Sequence, residues 1–279
     1  IDTSFNLAAG ANDFVNSIAQ QADGRFFLSG DFTLVNGLAR NRIVRLNSDG
    51  TVDTSFDAGS GFSDSVQEIG VQPDGRVVAI GHFTSVNGVN RNRIARLNSD
   101  GSVDDTFNPG GGANNPILDM LVQPDGRTVI VGDFSSFNGV SRKGVARINS
   151  DGTLDETFGL GDGPDFSVHA VVMQRDGRVI IAGDFKNYDG VAFEGVVRLN
   201  PDGSIDKSFN SALGFDDSVR CIALQEDGRI VIGGFFSHVG NAARGRIARL
   251  NPDGSLDADF AIGAGADGSI YSMAIQSDG

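Results

Sequence analysis

The stretch "RLNPDGSLDADF", residues 249–260, decides the fold because it recurs along the chain at a constant spacing. Earlier copies read "RLNSDGTVDTSF" (45–56), "RLNSDGSVDDTF" (96–107), "RINSDGTLDETF" (147–158) and "RLNPDGSIDKSF" (198–209). Each copy begins 51 residues after the previous one, with no insertion or deletion between them. A fixed period of this length is the signature of a repeat architecture.

A second motif keeps the same step and sets the repeat boundaries. It reads "QADGR", "QPDGR", "QPDGR", "QRDGR" and "QEDGR", and a last "QSDG" stops at Gly279. We therefore expect about five and a half repeats, with boundaries near 1–51, 52–102, 103–153, 154–204 and 205–255 and a partial copy at 256–279. We interpret residues 1–279 as one domain, or as an excerpt of one.

Within one repeat, four short β-rich runs alternate with turn residues. In residues 15–66 the runs are "VNSIAQQ", "RFFLSGDF", "RIVRL" and "TVDTSF", and Asn-Gly and Asp-Gly pairs between them are preferred hairpin turns. No run has a helical pattern. Four strands in a repeat of about 40–50 residues are typical of a propeller blade. The sequence predicts an all-β propeller of four-stranded antiparallel blades, completed as a ring of six or seven.

Two residue types recur once per repeat and are predicted to have structural roles. We expect the recurring phenylalanines to lie between neighbouring sheets, where burial of each side chain contributes about 1.5–3 kcal/mol. They are Phe56, Phe107, Phe158, Phe209 and Phe260. Glycines at 30, 81, 132, 183 and 234 fall in the second run of each repeat. Glycine inside a strand indicates the close approach of another backbone.

The aspartate that ends the motif could be a metal ligand or part of a turn. Its copies are Asp53, Asp104, Asp155, Asp206 and Asp257. The oxygen spacing of an EF-hand and its closing Glu are absent. Asp-Gly turns capped by Asp and Asn side chains explain the motif without a metal. We therefore interpret these aspartates as structural, expect Asp257 to pair with Arg249, and predict no metal or cofactor; calcium stays an alternative, chiefly at Asp216 and Asp217.

Composition excludes several classes of partner. The net charge of −14 disfavours nucleic acid and anionic membrane surfaces. No apolar run is long enough for membrane insertion. The single cysteine, Cys221, cannot form an internal disulfide, and we expect it to be buried and inert. The three histidines fit no Ser-His-Asp pattern, so we predict no catalytic residues.

The copies differ on one side of the predicted blades. The turns "QPDGR" and "NSDG" should share one face, and the blade-to-blade segments and the loops after the second strands should share the other. Six windows of this second face carry eight aspartates and one arginine in 66 residues, which is half the net charge. We predict ligand contacts there from Asn12, Asp13, Phe14, Asp64, Asn114, Asn115, Asp165, Phe166, Asp216, Asp217 and Asp267.

Further features of this face lead to two subsidiary expectations. Phe137, Tyr188 and Phe193 lie in its loops and are expected to be exposed. Replacing Asp216 and Asp217 by Lys is expected to abolish ligand binding and to leave folding intact. An alternative needs no ligand. The loop sequences would vary because nothing constrains them, and the acidic residues would keep the protein soluble.

The repeats resemble a known family. "QPDGR", "GDF" and "RLNPDGSLDADF" are similar to the delta-60 repeat of bacterial proteins, also described as a β-propeller repeat, over nearly the whole chain. Departures are Gly240-Asn241 in place of Asn-Gly, and His82 and Phe235 in place of the Asp after the second-strand glycine. The resemblance implies a propeller in a large secreted or surface-exposed bacterial protein, and no shared activity.

The leading functional hypothesis is a non-enzymatic binding or display module of a secreted or cell-surface bacterial protein. Its partner would be a protein or glycan at a cell surface, contacted through the variable acidic face. The alternative is a purely structural repeat subunit of a stalk, sheath or filament, which would self-associate through edge strands. A glycoside hydrolase or other hydrolase is the least favoured hypothesis. Glycoside hydrolysis needs a pair of carboxylates, but aspartates this abundant form such pairs by chance.

Overall fold

The computed structural model describes residues 9–209 and 214–276, which form strands and turns and contain no helix. No helix in these ranges is therefore long and apolar enough to cross a membrane. The first repeat contains β1 (Val15–Gln20), β2 (Phe26–Gly30), β3 (Leu34–Val35), β4 (Leu38–Ala39) and β5 (Ile43–Leu46). The second contains β6 (Val66–Val71), β7 (Val77–Gly81), β8 (Ser85–Val86), β9 (Val89–Asn90) and β10 (Ile94–Leu97).

The remaining repeats contain the same five strands in the same order. The third has β11 (Ile117–Val122), β12 (Thr128–Gly132), β13 (Ser136–Phe137), β14 (Val140–Ser141) and β15 (Val145–Ile148). The fourth has β16 (Val168–Met173), β17 (Val179–Gly183), β18 (Asn187–Tyr188), β19 (Val191–Ala192) and β20 (Val196–Leu199). The fifth has β21 (Val219–Leu224), β22 (Ile230–Gly234), β23 (His238–Val239), β24 (Ala242–Ala243) and β25 (Ile247–Leu250).

Each repeat forms one antiparallel sheet and one short hairpin. In the first repeat the sheet order is β1-β2-β5, and β3 pairs with β4 in the hairpin. The fourth predicted run, "TVDTSF", joins this sheet through one bridge between Leu46 and Val52. The chain then turns, because the Asp53 carboxylate accepts hydrogen bonds from the backbone N–H and hydroxyl of Ser55. The all-β propeller fold is confirmed, with this outer run shorter than a full strand.

The Asn-Gly pairs form the two-residue hairpin loops that the sequence predicts. Asn36 and Gly37 have φ angles of 51° and 78°, both in the left-handed region that a type I′ turn requires. In the fifth repeat the reversed pair Gly240-Asn241 still connects β23 to β24, with φ of 57° at the glycine. The hairpin thus tolerates this departure from the repeat pattern.

The second-strand glycines allow another backbone to approach closely, as expected. A Cβ at Gly81 would lie 2.2 Å from the carbonyl oxygen of Ser65, and one at Gly183 would lie 2.1 Å from that of Ser167. The same carbonyl of Ser65 accepts a hydrogen bond from His82 N at 2.9 Å. The register of the first strand shifts here by a β-bulge.

The described chain divides into two compact units. Unit 1 holds residues 9–129, 134–141 and 147–154, which include the first two sheets. Unit 2 holds residues 130–133, 142–146, 155–209 and 214–276, which include the fourth and fifth sheets.

The recurring phenylalanines pack between successive sheets within each unit. In unit 1, Phe56 meets Phe27 of the first sheet edge to face at 5.0 Å, in a core that also holds Val66 and Val77 of the second sheet. In unit 2, Phe209 lies in one core with residues of both the fourth and fifth sheets. Their predicted place between sheets is confirmed for these two residues.

Candidate functional site

The two ends of each sheet differ in sequence and in structure. At one end, which we name the fixed face, the "DG" turn between β1 and β2 lies near the segment that follows β5, as in the ion pair of Arg25 with Asp53. At the other end, the variable face, the segment entering each first strand contacts the short hairpin. Ala11 bridges Val35 in the first repeat, and Phe215 bridges Val239 in the fifth. This pairing of loops agrees with the sequence prediction.

The motif aspartates on the fixed face are buried in ion pairs. Asp104 Oδ2 accepts a hydrogen bond from Arg96 Nε at 2.7 Å, and its Oδ1 accepts from the N–H and hydroxyl of Thr106. Arg96 also donates to the carbonyl of Ser150 and lies 4.9 Å above the Phe107 ring. The expected pair of Asp257 with Arg249 is present at 2.8 Å.

These contacts account for the aspartates without a metal. Burial opposes the charge on Asp206, but hydrogen bonds from Ser208 and Arg198 outweigh it and lower the pKa of the carboxyl to about 2. The opening motif is satisfied in the same way, since Asp253 Oδ1 accepts from the N–H and hydroxyl of Ser255. In residues 9–209 and 214–276, no three His, Cys, Asp or Glu side chains are grouped to hold a metal ion.

On the variable face, one position per repeat fastens the entering segment to the hairpin. The side chains there accept hydrogen bonds from two successive backbone N–H groups at the start of the hairpin. They are Asn12, Ser63, Asn114, Asp165 and Asp216. Four of these five are predicted ligand contacts, and the structure gives each a role in folding.

Asp216 shows what this role means for the expected effect of charge reversal. Its carboxylate accepts from the N–H groups of Ser237 and His238 and from the Ser237 hydroxyl. Burial opposes its charge, but these bonds hold the pKa of the carboxyl below its usual range. A lysine cannot accept hydrogen bonds, so replacing Asp216 would disturb folding. We therefore no longer expect reversal of Asp216 to leave folding intact, and the expectation for Asp217 stays a prediction.

The next position along each segment is exposed, and its residue type varies. The occupants are Asp13, Asp64, Asn115, Phe166 and Asp217. Asp13, Asp64 and Asp217 each accept a hydrogen bond from the following backbone N–H. The Phe166 side chain is 68% exposed, and Phe14, one position further along in the first repeat, is 73% exposed. This position therefore presents its side chain to solvent in all five repeats, and the hydrogen bonds of its three aspartates reach only the adjacent residue.

Four predicted residues line one cleft on the variable face of unit 2. The cleft has a volume of ≈ 670 Å³ and lies between the hairpin side of the fourth sheet and the segment that enters the fifth. Its lining includes Asp165, Phe166, Asp184, Phe185, Lys186, Glu194, Phe215, Asp216, Asp217 and Ser218. Five of these side chains are carboxylates and one is a lysine. A ligand would therefore meet mainly hydrogen-bond acceptors around an exposed aromatic ring.

An ordered polar cluster adjoins this cleft. His169 Nε2 lies 2.8 Å from Asp184 Oδ2, and Arg220 Nη1 lies 3.2 Å from His169 Nδ1. The Arg220 guanidinium also stacks 4.5 Å from the Phe235 ring. Both ring nitrogens of His169 are therefore engaged, which leaves neither to activate a nucleophile in the manner of a catalytic triad.

Some of these residues were not predicted as ligand contacts. His169 and Arg220 occupy the same repeat position, 51 residues apart, so adjacent first strands bring them together. An alignment of the repeats shows this shared position, so the proximity of His169 and Arg220 could have been predicted. Asp184 occupies another variable position, the one after the second-strand glycine. The exposure expected of Phe137 and Tyr188 is wrong, since both are buried. The hairpin folds back onto the entering segment, as in the Pro164–Tyr188 bridge, and turns this side chain inward.

The predicted inertness of the lone cysteine agrees with its surroundings. Cys221 is 8% exposed, and burial raises the pKa of its thiol to about 11. Seven candidates lie outside the cleft. Asp267, which is exposed and occupies the repeat position of Asp216, belongs to unit 2. The other six belong to unit 1 and are Asn12, Asp13, Phe14, Asp64, Asn114 and Asn115.

The fold and the repeat define a β-propeller repeat protein. The chain belongs to the family described as "Domain of unknown function (DUF5122) beta-propeller", whose model matches residues 21–56, 72–107, 123–158, 174–209 and 225–260. These matches contain both motifs of every complete repeat. No curated protein matches the chain.

Solved structures of low sequence identity share the fold. The extracellular domain of the one-component system BT4673 from B. thetaiotaomicron has a TM-score of 0.52 at 14% identity, covering 90% of this chain and 31% of that one. Virginiamycin B lyase from Staphylococcus aureus has 0.53 at 15%, covering 89% and 71%. PorZ, a surface component of the type-IX secretion system of Porphyromonas gingivalis, has 0.50 at 15%, covering 90% and 34%. The chain thus spans about a third of the first and last of these proteins.

Proposed function

We propose that this chain is a non-enzymatic binding module of a secreted or surface-exposed bacterial protein, and that it binds a glycan in the cleft of unit 2. One observation carries the proposal: the cleft combines an exposed aromatic ring, Phe166, with carboxylates fixed in place by backbone N–H groups. The resemblance to delta-60 repeats supports the location, since such repeats occur in large surface-exposed proteins.

The chemistry of the cleft favours a sugar. Sugar hydroxyls donate hydrogen bonds, and ionised carboxylates are acceptors only. The apolar face of a sugar ring can pack on an aromatic side chain such as Phe166, which is 68% exposed. Because Asp165 and Asp216 are held by their own hairpins, their oxygens are oriented before a ligand arrives, which reduces the entropy cost of binding.

The shape of the cleft favours a glycan over a folded protein. A volume of ≈ 670 Å³ falls within the range of about 300–1,000 Å³ that small-ligand sites occupy. A stable protein partner needs about 800 Å² of surface on each side, commonly in a flatter patch. A protein ligand on the same face is the less favoured alternative.

An oligosaccharide array tests this proposal. The labelled chain would be applied to immobilised bacterial surface polysaccharides and host glycans, alongside Phe166→Ala and Asp217→Ala. Matched controls are Phe14→Ala, which removes an exposed ring elsewhere, and Asp64→Ala, which removes the residue equivalent to Asp217. We expect saturable glycan binding that falls about tenfold or more in the cleft variants only. Absence of glycan binding, or equal losses in the controls, would contradict the proposal.

A structural role in a stalk, sheath or filament is the second candidate. The exposed side chains of Phe14, Val15 and Ile18 favour it, because self-association would bury them. Sedimentation of the chain over a range of concentrations separates the two candidates. Assembly into long oligomers supports the structural role, and a monomer supports the binding module.

A further inference from the structure

The segment before the last strand of the fourth repeat carries the opposite charge to its counterparts in the first two repeats. It reads Arg-Asn-Arg at 40–42, before β5, and again at 91–93, before β10, but Phe-Glu-Gly at 193–195, before β20. Two arginines are thus replaced by one glutamate, which changes the formal charge of the segment from +2 to −1. Glu194 and Gly195 line the cleft of unit 2, so this reversal falls at the proposed glycan site.

The second arginine of the two early segments holds a carbonyl group of the next repeat. Arg42 Nη1 donates a hydrogen bond to the carbonyl oxygen of Phe62 at 3.1 Å. Arg93 Nη1 donates one to the carbonyl oxygen of Ala113 at 2.9 Å. In both repeats the guanidinium therefore places a positive charge against the segment that enters the next sheet.

In the cleft, the equivalent carbonyl lacks this arginine. Phe215 follows Gly195 by 20 residues, which is the spacing of the earlier hydrogen-bonded pairs. Gly195 has no side chain to reach the Phe215 carbonyl, although its positive φ, 101°, is shared in sign by Arg42, with 67°. A Cβ at Gly195 would lie 3.5 Å from the Gly183 carbonyl oxygen, at ordinary van der Waals contact. The cleft therefore holds an acceptor and open space where the early repeats place a cation.

The other charges of the cleft also favour a cation. Its described lining residues include five carboxylates and one lysine, Lys186. Arg220, which adjoins the cleft, lies 3.9 Å from Asp184 and balances one of the five. Burial opposes the charge of Asp165, but hydrogen bonds from Asn187 and from the N–H of Lys186 outweigh it and lower the pKa of the carboxyl. This carboxylate therefore stays ionised in mildly acidic solution, in which an amine is protonated.

We propose that the glycan bound in the cleft carries free amino groups, as an oligosaccharide of glucosamine does. The inference rests on the proposed function and specifies its ligand class. The sugar ammonium replaces the guanidinium of the early repeats and donates hydrogen bonds to the Phe215 carbonyl and the Glu194 carboxylate. An ammonium has donors and no acceptor, which matches a lining of carboxylates and a carbonyl. An N-acetylated sugar offers no charge there, and a uronic acid would be repelled.

Calorimetric titration with matched ligands tests the inference. Oligosaccharides of glucosamine and of N-acetylglucosamine, with the same length and linkage, differ only in their acetyl groups. In mildly acidic buffer we expect the glucosamine oligosaccharide to bind about tenfold or more tightly than its acetylated counterpart. An oligolysine with the same number of charges is the third ligand, because a chain of net charge −14 attracts polycations without a specific site. We expect it to bind more weakly than the glucosamine oligosaccharide.

Two cleft variants and one control assign the preference to residues. Glu194→Gln removes the carboxylate, and Gly195→Arg restores the arginine of the early repeats, so each should abolish the preference for glucosamine. Glu156→Gln removes an exposed carboxylate that is not part of the cleft lining, and it should leave the preference unchanged. Melting curves would verify that each variant folds.

Equal affinities for the two oligosaccharides would overturn the inference and leave the proposed function standing. Binding of neither would also overturn it, and the array, which holds many other glycans, tests the proposed function separately. Oligolysine that binds as tightly as the glucosamine oligosaccharide, or a preference that survives Glu194→Gln, would overturn the inference as well.

Discussion

Asp104 accepts a hydrogen bond from Arg96 Nε over 2.7 Å, and each of these two side chains is only 4% exposed. The contact connects β10, the last strand of the second repeat, to the turn that follows it. The same arginine reaches the carbonyl of Ser150 in the next repeat. One ion pair therefore fixes the turn and fastens successive repeats, which explains why the fixed face keeps its sequence in every copy.

Removing one partner of this pair should be costly. Asp104→Ala leaves the Arg96 guanidinium buried with one partner fewer, and we expect a loss of about 2–4 kcal/mol in the free energy of unfolding. Urea unfolding followed by circular dichroism measures it. Asp105→Ala is the matched control, since that side chain is 89% exposed and should change stability little. Equal stability of the two variants would remove the structural role assigned to Asp104.

A pair of carboxyl groups in unit 1, those of Glu68 and Asp119, should make the stability of the folded chain depend on pH. Met120 N donates to both Glu68 Oε2, at 2.9 Å, and Asp119 Oδ1, at 2.7 Å. Burial and the neighbouring charge of Asp119 raise the pKa of Glu68 well above its usual 4.5. Because the folded-state value exceeds the unfolded one, ionisation of Glu68 costs the folded state stability as the pH rises above about 4.5.

Glu68→Gln should therefore stabilise the chain at neutral pH. The amide keeps an acceptor for Met120 N and carries no charge, so we expect a higher melting temperature than that of the wild type at pH 7. The gain should shrink as the pH falls toward 4.5, where wild-type Glu68 is already protonated. Thermal melts across this range measure it. Glu226→Gln, at an exposed position, is the control, and the same gain there would point to net charge as the cause.

The close backbone contact at the second-strand glycines predicts a steric effect. In Gly81→Ala the new methyl group would lie 2.2 Å from the Ser65 carbonyl oxygen, so the backbone must shift, and we expect a loss of about 1–3 kcal/mol. Gly268→Ala is the control, because no atom lies within 4 Å of the Cβ position there. Melting temperatures compare the two, and equal values would show that the strand relaxes freely.

Calcium should leave the melting temperature unchanged. The motif oxygens already accept hydrogen bonds, as Asp253 does from Ser255. A calcium site filled at 100 times its dissociation constant would add about 2.7 kcal/mol, which a melt resolves readily. Thermal melts in a chelator and in millimolar calcium measure this. A clearly higher melting temperature in calcium would indicate that the aspartates are metal ligands, and it would contradict the assignment of their oxygens to hydrogen bonds.

The sequence was sufficient for the fold because the repeat supplies the same evidence five times. Phe56, Asp257 and Gly81 each recur at a fixed interval, and periodicity, turn chemistry and residue type agree on their roles. The details that the sequence could not supply depend on where a loop folds back. Tyr188 lies in a variable loop, and its exposure was therefore expected. The hairpin turns its side chain inward, and the residue is only 2% exposed.

The candidate site was predictable only in part for the same reason. Phe166 and Asp217 were identified as variable and polar or aromatic, and the cleft contains both. Asp216 was identified on the same grounds, but its carboxylate is required by two backbone N–H groups of the following hairpin. Whether a side chain faces a ligand or its own backbone depends on contacts some twenty residues away, which composition does not reveal.

Hydrogen–deuterium exchange with the strongest-binding oligosaccharide of the array tests the central claim most directly. If the variable face of unit 2 binds the glycan, amide protection should appear in the segments 163–169, 183–187 and 214–218, which supply most of the cleft lining. The "DG" turns of the fixed face should exchange at the same rate with and without the sugar. Protection confined to those turns, or none in the cleft segments, would contradict the account.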